Sequence, residues 1–462
     1  MVTKDVLRQV VIKQKNELAY KDTLKREILE DILKWLKDDR VLVLTGVRRC
    51  GKSTLLRQLM QGTAGWCYIN FEDERLLDFQ AQDFEMLNEV LIETYGAAKT
   101  YFFDEVQNVE KFETFVRRLQ DEGKKVIITG SNAALLSKEF GTRLTGRYKS
   151  FEVYPFSFSE FLSFRKTGIK KDDWYDVEKK VRLLKLFEEY ATTGGMPEYV
   201  KNHDRDYVRT VFENILYKDI ITRYSIKREK IMRELVNILA TNAATKFTYN
   251  SLKKTLGLAN AITVKEYVSY LDNSYLFFEL LKFSHSIKQQ LGAPRKIYLV
   301  DPAFHQTIGL SFTPNKGRNL ENTIYIELKR RNHDTYYYSG KNECDFVIKN
   351  GTRITGAIQA CYTLDDSNKE RELAGLVAAM DEFKLSKGLI LTFEQTGELT
   401  VGKKKIKIIP VILWATDGKS MFGADPWLAK TSRKDLRDHD DPRHLTPTRG
   451  LSSFPARKKA NG

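Results

Sequence analysis

The sequence predicts an α/β protein that begins with a parallel sheet, and two observations support this prediction. Short β-rich runs alternate with helical stretches, and Gly, Asp or Asn bound the runs. Strands that alternate with helices favour parallel pairing, because each return to the sheet needs a crossover connection. The predicted strands are Val41–Thr45, Trp66–Asn70, Lys99–Phe103 and Val126–Thr129. Beyond Pro155 the pattern changes to longer helical segments, so further domains are expected there.

Length and composition limit the class of protein. The chain has 462 residues, which corresponds to about three domains, and 42% hydrophobic residues exclude a wholly disordered chain. Lys and Arg number 76 against 61 acidic residues, and the net charge of +15 favours polyanionic partners. No apolar run approaches the ~20 residues of a membrane span, so we expect no membrane association. The four cysteines are scattered and form no CxxC pair, so we expect a cytoplasmic protein without disulfides, zinc or heme.

A glycine-rich phosphate-binding pattern follows the first predicted strand. The run from Gly46 to Ser53 fits GxxxxGK[ST] and stands between a strand and a helical stretch, which is the context expected of a P-loop. Gly46 and Gly51 permit backbone angles that turn N–H groups toward phosphates, and the helix N-terminus adds partial positive charge. Lys52 is expected to reach the β- and γ-phosphates, and Ser53 to offer its hydroxyl to Mg²⁺.

A second element fits the P-loop. Residues 100–105 form an apolar strand that ends in Asp104 and Glu105, 52 and 53 residues after Lys52. We expect this Walker B strand to lie beside the P-loop strand. Asp104 would orient Mg²⁺, and Glu105 would polarise the attacking water. The sequence therefore predicts nucleotide hydrolysis with Lys52 and Glu105 as catalytic residues.

Polar residues and arginines complete the predicted site. Ser131 and Asn132 follow the strand at 126–129, where either could sense the γ-phosphate or cap a helix. Arg147, with Arg143 as the second choice, is either a catalytic arginine that reaches a neighbouring subunit or a surface residue. Arg48 and Arg49 could pair with acids of the sheet edge or with the nucleotide. The residues predicted to bind nucleotide are Gly46, Arg48, Arg49, Cys50, Gly51, Lys52, Ser53, Thr54, Ser131 and Asn132, with Ser53 and Asp104 as metal ligands.

On these motifs, residues 20–300 resemble AAA-type ATPases of archaea and bacteria that pair a P-loop domain with a winged helix, close to the STAND branch. The motifs are GVRRCGKSTLLRQL, YINFEDERL, YFFDEVQNV, IITGSNAALLS, LTGRYKSFEVYPFSFSEFL and TGGMPEYV. The resemblance implies an ASCE-type sheet, ATP rather than GTP, and a catalytic interface in a homo-oligomer. It also implies that Glu72 and Asp73 lie near the site, although they could equally be solvated loop acids.

The middle of the chain is predicted to be a winged helix-turn-helix. A helical stretch from Phe247 ends at Gly257, a second begins near Asn260, and an apolar strand follows at Tyr275. Residues 201–296 carry 17 Lys and Arg against 9 Asp and Glu, which favours DNA as a partner. Winged helices also serve as protein-contact or lid modules. The possible DNA contacts are Asn260, Thr263 and Lys265 in the major groove, and Lys253 and Lys254 at phosphates.

The C-terminal part resembles the PD-(D/E)xK nuclease fold, with strands predicted at 336–338, 345–349, 357–361, 388–393 and 407–414. Glu321 on a helix, Asp345 on one strand and Gln359 on the next would form its site. The family pattern places an acid at the position of Gln359 and a lysine at the position of Cys361, so a metal-dependent nuclease site is degenerate here. Lys369 or Arg371 could replace the missing lysine.

The predicted fold is therefore an AAA-type P-loop NTPase with a helical lid and a winged helix, followed by an α/β restriction-endonuclease-like domain. The predicted domains are a P-loop ATPase domain at 1–158, a lid or linker at 159–226, a winged helix at 227–300, a nuclease-like domain at 301–420 and a disordered tail at 421–462. Three functions remain open: a Mg²⁺-dependent oligomeric ATPase that acts on DNA, a STAND-type ATP-dependent switch, and an active nuclease.

Overall fold

The computed structural model describes residues 2–18, 23–132, 146–168, 171–309 and 315–416. The predicted tail at 421–462 and Arg143 lie outside these residues. The strands are β1 (Val41–Thr45), β2 (Trp66–Asn70), β3 (Thr100–Asp104), β4 (Lys125–Gly130), β5 (Tyr148–Glu152), β6 (Lys246–Phe247), β7 (Phe277–Leu280), β8 (Arg295–Leu299), β9 (Asp334–Ser339), β10 (Glu343–Asn350), β11 (Arg353–Ala360), β12 (Lys387–Thr392), β13 (Gly397–Val401) and β14 (Lys404–Pro410).

Helices connect these strands and cover the sheets. The α-helices are Lys4–Glu17, Leu29–Leu33, Lys52–Gln61, Phe84–Tyr95, Phe112–Asp121, Phe158–Phe164, Val177–Thr193, Pro197–Asn202, Arg205–Asn214, Glu229–Thr241, Tyr249–Thr255, Ala261–Asn273, Ile287–Gly292, Pro302–Ile308, Lys316–Arg330, Lys369–Glu382 and Val411–Thr416. A π-helix, Ile215–Thr222, continues from the helix Arg205–Asn214. Short 3-10 helices lie at Glu74–Leu76, Ala81–Asp83, Val106–Asn108 and Lys171–Tyr175. Within the described ranges, no helix combines the length and the hydropathy needed to cross a bilayer.

The first sheet is parallel and has the strand order β2-β3-β4-β1-β5. The parallel α/β architecture predicted for this region is confirmed. The prediction that the Walker B strand lies beside the P-loop strand is wrong, because β4 separates β3 from β1. All three strands are buried and apolar, so their composition could not distinguish which of them is adjacent to β1.

Alternation along β1 divides the core of this region between the two faces of the sheet. Leu42 and Leu44 belong to one hydrophobic cluster, and Val41 and Val43 belong to another. Successive side chains of a strand point to opposite faces, so β1 is apolar throughout because helices cover both sides. The helix that follows the P-loop lies on the first face, and the N-terminal helix Lys4–Glu17 lies on the second.

A second sheet is antiparallel and has the order β6-β8-β7. Two helices precede β7, and the turn between them contains Gly257 at φ +63°. The first helix was predicted to begin at Phe247. This boundary is wrong, because Phe247 pairs with Arg295 in the sheet and the Thr248 side chain then accepts a hydrogen bond from the Ser251 N–H as the helix cap.

The third sheet has the order β13-β14-β12-β11-β10-β9 and mixes parallel and antiparallel pairs. Helices at Lys316–Arg330 and Lys369–Glu382 accompany it. The strand predicted at 407–414 is wrong in its second half, because β14 ends at Pro410 and Val411–Thr416 is helical. The run is apolar because this short helix is buried, and an apolar run of that length does not distinguish a strand from a buried helix.

The TGGMP motif joins the helical region to its neighbours on both sides. The Gly195 N–H donates to the Asp301 carboxylate over 2.7 Å, and the Gly195 carbonyl accepts from the Phe156 N–H over 2.8 Å. A Cβ at Gly194, which has φ +77°, would lie 1.7 Å from the Asp301 carboxylate. Glycine is therefore required where the two segments touch.

Candidate functional site

The P-loop is a tight turn at the carboxyl end of β1. Gly46 has φ +153°, and a Cβ there would lie 2.0 Å from the Val153 carbonyl oxygen. Gly51 has φ +104°, and its Cβ would lie 2.9 Å from a guanidinium nitrogen of Arg26. Glycine is thus required at both positions by its backbone angle and by its close neighbours. This steric requirement adds to the predicted one, in which glycine lets the backbone N–H groups turn toward phosphates.

The P-loop lysine is almost completely buried, with 3% of its surface exposed. Its ammonium donates to the carbonyls of Gly46 and Val47 over 3.1 and 3.3 Å and lies 3.5 Å from the Glu105 carboxylate. Burial alone would lower the pKa of Lys52, but the combined effect of its neighbours, led by the Glu105 carboxylate and including Asp104 and Asp219, outweighs burial and the pKa is raised. Lys52 is therefore cationic at neutral pH, and two of its three contacts are to neutral oxygens of its own loop.

Asp104 lies at the end of β3 and is completely buried. Its carboxylate accepts hydrogen bonds from the Tyr68 hydroxyl over 3.2 Å and from the Thr129 hydroxyl. Burial and the neighbouring Glu105 charge raise the pKa of Asp104, while hydrogen bonds from Thr129 and Ser53 oppose the shift. Ser53 and Asp104 thus bring together a hydroxyl and a carboxylate oxygen, the hard donors that Mg²⁺ takes alongside phosphates and water.

Glu105 has the left-handed backbone angle φ +50°, which is uncommon for a residue with a side chain. Burial would raise the pKa of its carboxyl, but Lys52 and a hydrogen bond from Gln107 hold it below the ordinary value. The Gln107 amide also lies 3.2 Å from the Ser131 hydroxyl. Glu105 is therefore an ionised base fixed from two sides. Sequence reasoning missed Gln107, although it stands in the quoted YFFDEVQNV motif.

Arg48 joins the P-loop to the π-helix. Its guanidinium forms a two-pronged pair with Asp219, at 2.9 and 3.0 Å, and contacts the Glu72 carboxylate at 2.6 Å. The Ser131 hydroxyl lies 3.4 Å from the same Asp219 carboxylate. Arg48 thus pairs with two acids in this structure, and one of them, Glu72, contacts the P-loop through it. Asp219 was not predicted.

Asn132 contacts a second residue of the same helical region. Its side-chain amide donates to the Tyr224 hydroxyl over 3.2 Å, and the Tyr224 ring stacks on Tyr270 with centroids 3.9 Å apart. Tyr270 belongs to the helix Ala261–Asn273, beside the second sheet. From that unit, the Tyr275 hydroxyl also donates to Thr45 over 2.7 Å, at the end of β1. The carboxyl side of the P-loop sheet therefore directly touches the helix-turn-helix unit, which comprises the helices Tyr249–Thr255 and Ala261–Asn273 together with the second sheet.

Arg26 supports the P-loop from outside the motif. Its guanidinium donates to the Cys50 carbonyl over 2.9 Å, to the Tyr154 carbonyl over 2.7 Å and to the Glu160 carboxylate over 2.8 Å. The residue is 4% exposed, so each of these bonds is shielded from water. Sequence reasoning missed Arg26, because it lies in a polar segment without a recognisable pattern.

Three other predicted site residues, Arg147, Arg49 and Asp73, make no contact with Lys52, Asp104 or Glu105 among the contacts described above. Arg147 is at the start of β5, at the sheet edge opposite the P-loop, and pairs with Asp121 at 2.6 Å on the surface. Arg49 is exposed at φ +68°. Asp73 pairs with Arg75 at 2.7 Å and caps a short 3-10 helix. Arg147 and Asp73 therefore have partners away from the phosphate turn, whereas Arg49 belongs to the turn and is exposed there.

The predicted DNA contacts occupy the helix-turn-helix unit. Lys254 and Lys265 are exposed, and Lys253 and Thr263 are half-buried. The Asn260 side chain accepts from the Ile262 N–H over 2.8 Å and so caps its helix. Its oxygen is already used within the chain, which reduces what Asn260 can offer a base.

The predicted C-terminal site also assembles, although with an unpredicted member. Glu321 and Asp345 both accept from the Lys296 ammonium, at 2.9 and 2.8 Å, and the Gln359 amide oxygen lies 3.4 Å from the Asp345 N–H. Lys296 comes from β8 in the second sheet. Of the two suggested replacements for the missing lysine, Arg371 instead pairs with Glu372 at 2.6 Å.

Comparisons with known proteins agree with the first sheet and its loop. A protein-family model described as an AAA domain matches residues 38–162, and a domain of unknown function, DUF8612, matches residues 184–314. The uncharacterized protein MJ1544 of Methanocaldococcus jannaschii is 35% identical over 436 residues, which cover 90% of this chain and 96% of that protein. An uncharacterized protein of Haemophilus influenzae is 29% identical over 378 residues, 77% of this chain and 90% of that protein. Among solved structures, the Walker-type ATPase PABY2304 of Pyrococcus abyssi covers 62% of this chain and 96% of its own, with 16% identity and a TM-score of 0.41.

Proposed function

Because the chain belongs to the family of MJ1544 from Methanocaldococcus jannaschii and carries an AAA domain at residues 38–162, we propose that it is a Mg²⁺-dependent ATPase. One observation supports this proposal above the others. A buried lysine, a buried aspartate and a buried glutamate meet where β1 and β3 end, beside the Ser53 hydroxyl. These are the groups that phosphoryl transfer to water requires.

Each residue has a role that follows from its contacts. The Lys52 ammonium is held by two long bonds to neutral carbonyls, so it can turn to the β- and γ-phosphates at small cost. Ser53 and Asp104 would hold Mg²⁺, whose charge would neutralise the developing negative charge on the phosphates. Glu105 is ionised and would then orient and polarise the attacking water.

The proposal includes a catalytic contribution from a second copy of the chain. Arg147 lies on the surface and far from its own P-loop, so it could contact a nucleotide only in an adjacent subunit. Its surface partner Asp121 is 53% exposed at the side chain, and such pairs contribute little to stability. Arg147 could therefore leave Asp121 for a phosphate when an oligomer forms.

ATP binding is proposed to move the helical region against the P-loop sheet. Arg48 is a P-loop cation whose present partners are Asp219 and Glu72, and an incoming γ-phosphate would compete with them. Release of Asp219 would loosen the π-helix, and Tyr224, two residues after its end, stacks on Tyr270 in the helix-turn-helix unit. This route favours an ATP-dependent switch as the second candidate function, in which turnover is slow and assembly follows nucleotide binding.

The helix-turn-helix unit is proposed to be a winged helix that contacts DNA. Its support is the order of elements, in which helices at 229–241, 249–255 and 261–273 are combined with a three-stranded antiparallel sheet. The excess of basic residues over 201–296 adds an electrostatic reason. Lys254, proposed to contact phosphates, and Lys265, proposed to enter the major groove, are both exposed.

Phosphate release tests the ATPase proposal. We expect Mg²⁺-dependent hydrolysis by the full chain, and roughly a 10²–10⁴-fold lower turnover in Glu105→Gln with ATP binding retained. Glu110→Gln is the matched control, because Glu110 is exposed on the same loop. Failure of the wild-type chain to bind ATP with Mg²⁺ would overturn the proposal.

The same assay with duplex DNA distinguishes the two modes. An ATP turnover rate that rises when DNA is added supports action on DNA. A slow turnover rate that DNA does not change, together with ATP-dependent assembly, supports the switch. DNA affinity at increasing salt is the companion measurement, with Lys253→Ala/Lys254→Ala compared with Lys403→Ala on an exposed turn of the third sheet. Loss of those two phosphate contacts should weaken binding and flatten the salt dependence.

A further inference from the structure

A lysine ammonium lies at the centre of the carboxylate cluster where the nuclease resemblance implies Mg²⁺. The Lys296 nitrogen is 2.9 Å from Glu321, 3.0 Å from Glu343 and 2.8 Å from Asp345. An ammonium has three N–H donors, and here three carboxylates surround it. The side chain is 4% exposed, so water does not share in these bonds.

Further hydrogen bonds and an ion pair connect the cluster to its surroundings. The Tyr298 hydroxyl donates to Glu321 over 2.7 Å, the Ala360 N–H donates to the second Asp345 oxygen over 3.0 Å, and Lys246 pairs with Glu343. The Gln359 amide donates to Glu372 over 2.6 Å. The cluster is therefore a satisfied hydrogen-bond network whose positive charge comes from the chain itself.

These residues do not fit a divalent cation. Mg²⁺ needs near-octahedral oxygen ligands at about 2.1 Å, and an ammonium among the same carboxylates fills that space and repels a second cation. Nowhere in the described ranges do three or more His, Cys, Asp or Glu side chains form a group that could hold a metal ion. The predicted metal ligands Glu321 and Asp345 do lie together, but their carboxylates are paired with the Lys296 ammonium.

We propose that Lys296 is the resident cation of this site, taking the place of Mg²⁺ and fixing the second sheet to the third. Lys296 stands on β8, while Asp345 and Glu343 stand on β10 and Glu321 on the helix before β9. One ammonium thus holds together two sheets and a helix. The C-terminal domain is consequently a partner of the helix-turn-helix unit, and its acids are withheld from metal-dependent nuclease chemistry.

Metal titration of the full chain without nucleotide tests this role, with Mn²⁺ as the probe and calorimetry or electron paramagnetic resonance as the measurement. We expect wild type and Asp345→Asn to bind Mn²⁺ identically. We expect Lys296→Ala to gain a Mn²⁺ site that disappears in Lys296→Ala/Asp345→Asn. Lys288→Ala is the matched control, because Lys288 is exposed between the strands of the same hairpin.

Two results would overturn the proposal. The first is Mn²⁺ binding by the wild-type chain that Asp345→Asn abolishes, because the lysine would then not occupy the metal position. The second is a folded Lys296→Ala that gains no Mn²⁺ site. If Lys296→Ala does not fold, the comparison of wild type with Asp345→Asn decides the question alone. The P-loop contributes equally to both chains of that comparison and does not affect it.

Discussion

Two buried lysines, Lys52 in the P-loop and Lys296 on β8, each contact acidic side chains, and their bonding differs. Lys52 makes two bonds to neutral carbonyls and one longer contact to Glu105 at 3.5 Å. Lys296 makes three contacts to carboxylates, all between 2.8 and 3.0 Å. The Lys52 ammonium can exchange its weakly bound carbonyl partners for the phosphate oxygens of a ligand. The Lys296 ammonium cannot do so readily, because three carboxylates already hold it.

This difference separates a functional charge from a structural one better than residue type or burial does. Both lysines are 3% exposed, and the pKa of each is raised by acidic neighbours that outweigh burial. What differs is how strongly each ammonium interacts with the groups it contacts in this structure. Breaking a fully paired buried ion cluster costs stability, while a loosely held cation is available for chemistry.

The largest expected effect is on stability, at Lys296. Lys296→Ala leaves Glu321, Glu343 and Asp345 without their shared cation, so we expect the free energy of unfolding to fall by about 3–5 kcal/mol. Urea denaturation measures it, and Lys296→Ala/Asp345→Asn should lose less than the sum of its single substitutions. A free energy of unfolding that is the same in Lys296→Ala and in wild type would contradict the structural role assigned to Lys296.

The next effect is on turnover, at Lys52. We expect Lys52→Ala to lower ATP turnover by roughly 10²–10³-fold, because the cation that meets the transferring phosphoryl group is lost. Phosphate release measures this, with Lys403→Ala as an exposed control. Equal loss of turnover in a folded Lys296→Arg, whose charge is kept, would show that the two sites are not separate.

A smaller effect is expected where the P-loop meets the π-helix. Asp219→Asn removes the buried partner of Arg48, so Arg48 becomes available to phosphate and ATP affinity should rise by about threefold to tenfold. Glu72→Gln should change affinity less, because the Glu72 side chain is 43% exposed against 3% for Asp219. Titration with a fluorescent ATP analogue compares the two. A fall in affinity with Asp219→Asn would contradict the proposed competition.

A pH dependence of stability is also expected at the Lys296 cluster. Burial raises the pKa of Glu321 from an ordinary 4.5 to about 7, against the opposing charge of Lys296. The folded chain therefore binds this proton more tightly than the unfolded chain, and the resulting stability is present below 4.5 and lost as the pH rises through 7. We expect the free energy of unfolding to fall between those limits in wild type and less in Glu321→Gln. Denaturation on both sides of the window measures it, and identical slopes would contradict the prediction.

The residues proposed to act in catalysis could be predicted from short local stretches of sequence. The P-loop and the Asp104–Glu105 pair were predictable because each is a short motif whose spacing is fixed by one turn after one strand. The helix that carries Glu321 was likewise predicted, and the structure has it at Lys316–Arg330. In each of these cases the physical cause lies within a few residues of the effect.

The residues that sequence reasoning missed act across long distances in the chain. Asp219 is 171 residues from Arg48, and Arg26 is 134 residues from Glu160. Lys296 belongs to a different sheet from the acids that it binds. A buried charge is specified by partners that only the folded chain brings together, so no local pattern marks it. The order of β3, β4 and β1 was missed for the same reason.

The Arg26 contacts set a lower limit on how much of the chain a working nucleotide-binding fragment must contain. The AAA match begins at residue 38, twelve positions after Arg26. A fragment cut at that boundary would retain the whole GxxxxGK[ST] motif but lose the guanidinium that holds the Cys50 carbonyl. Its P-loop would lack the Arg26 bond to the Cys50 carbonyl and would have a gap beside Gly51. Weak ATP binding by such a fragment would therefore be caused by the truncation and would not describe the full chain.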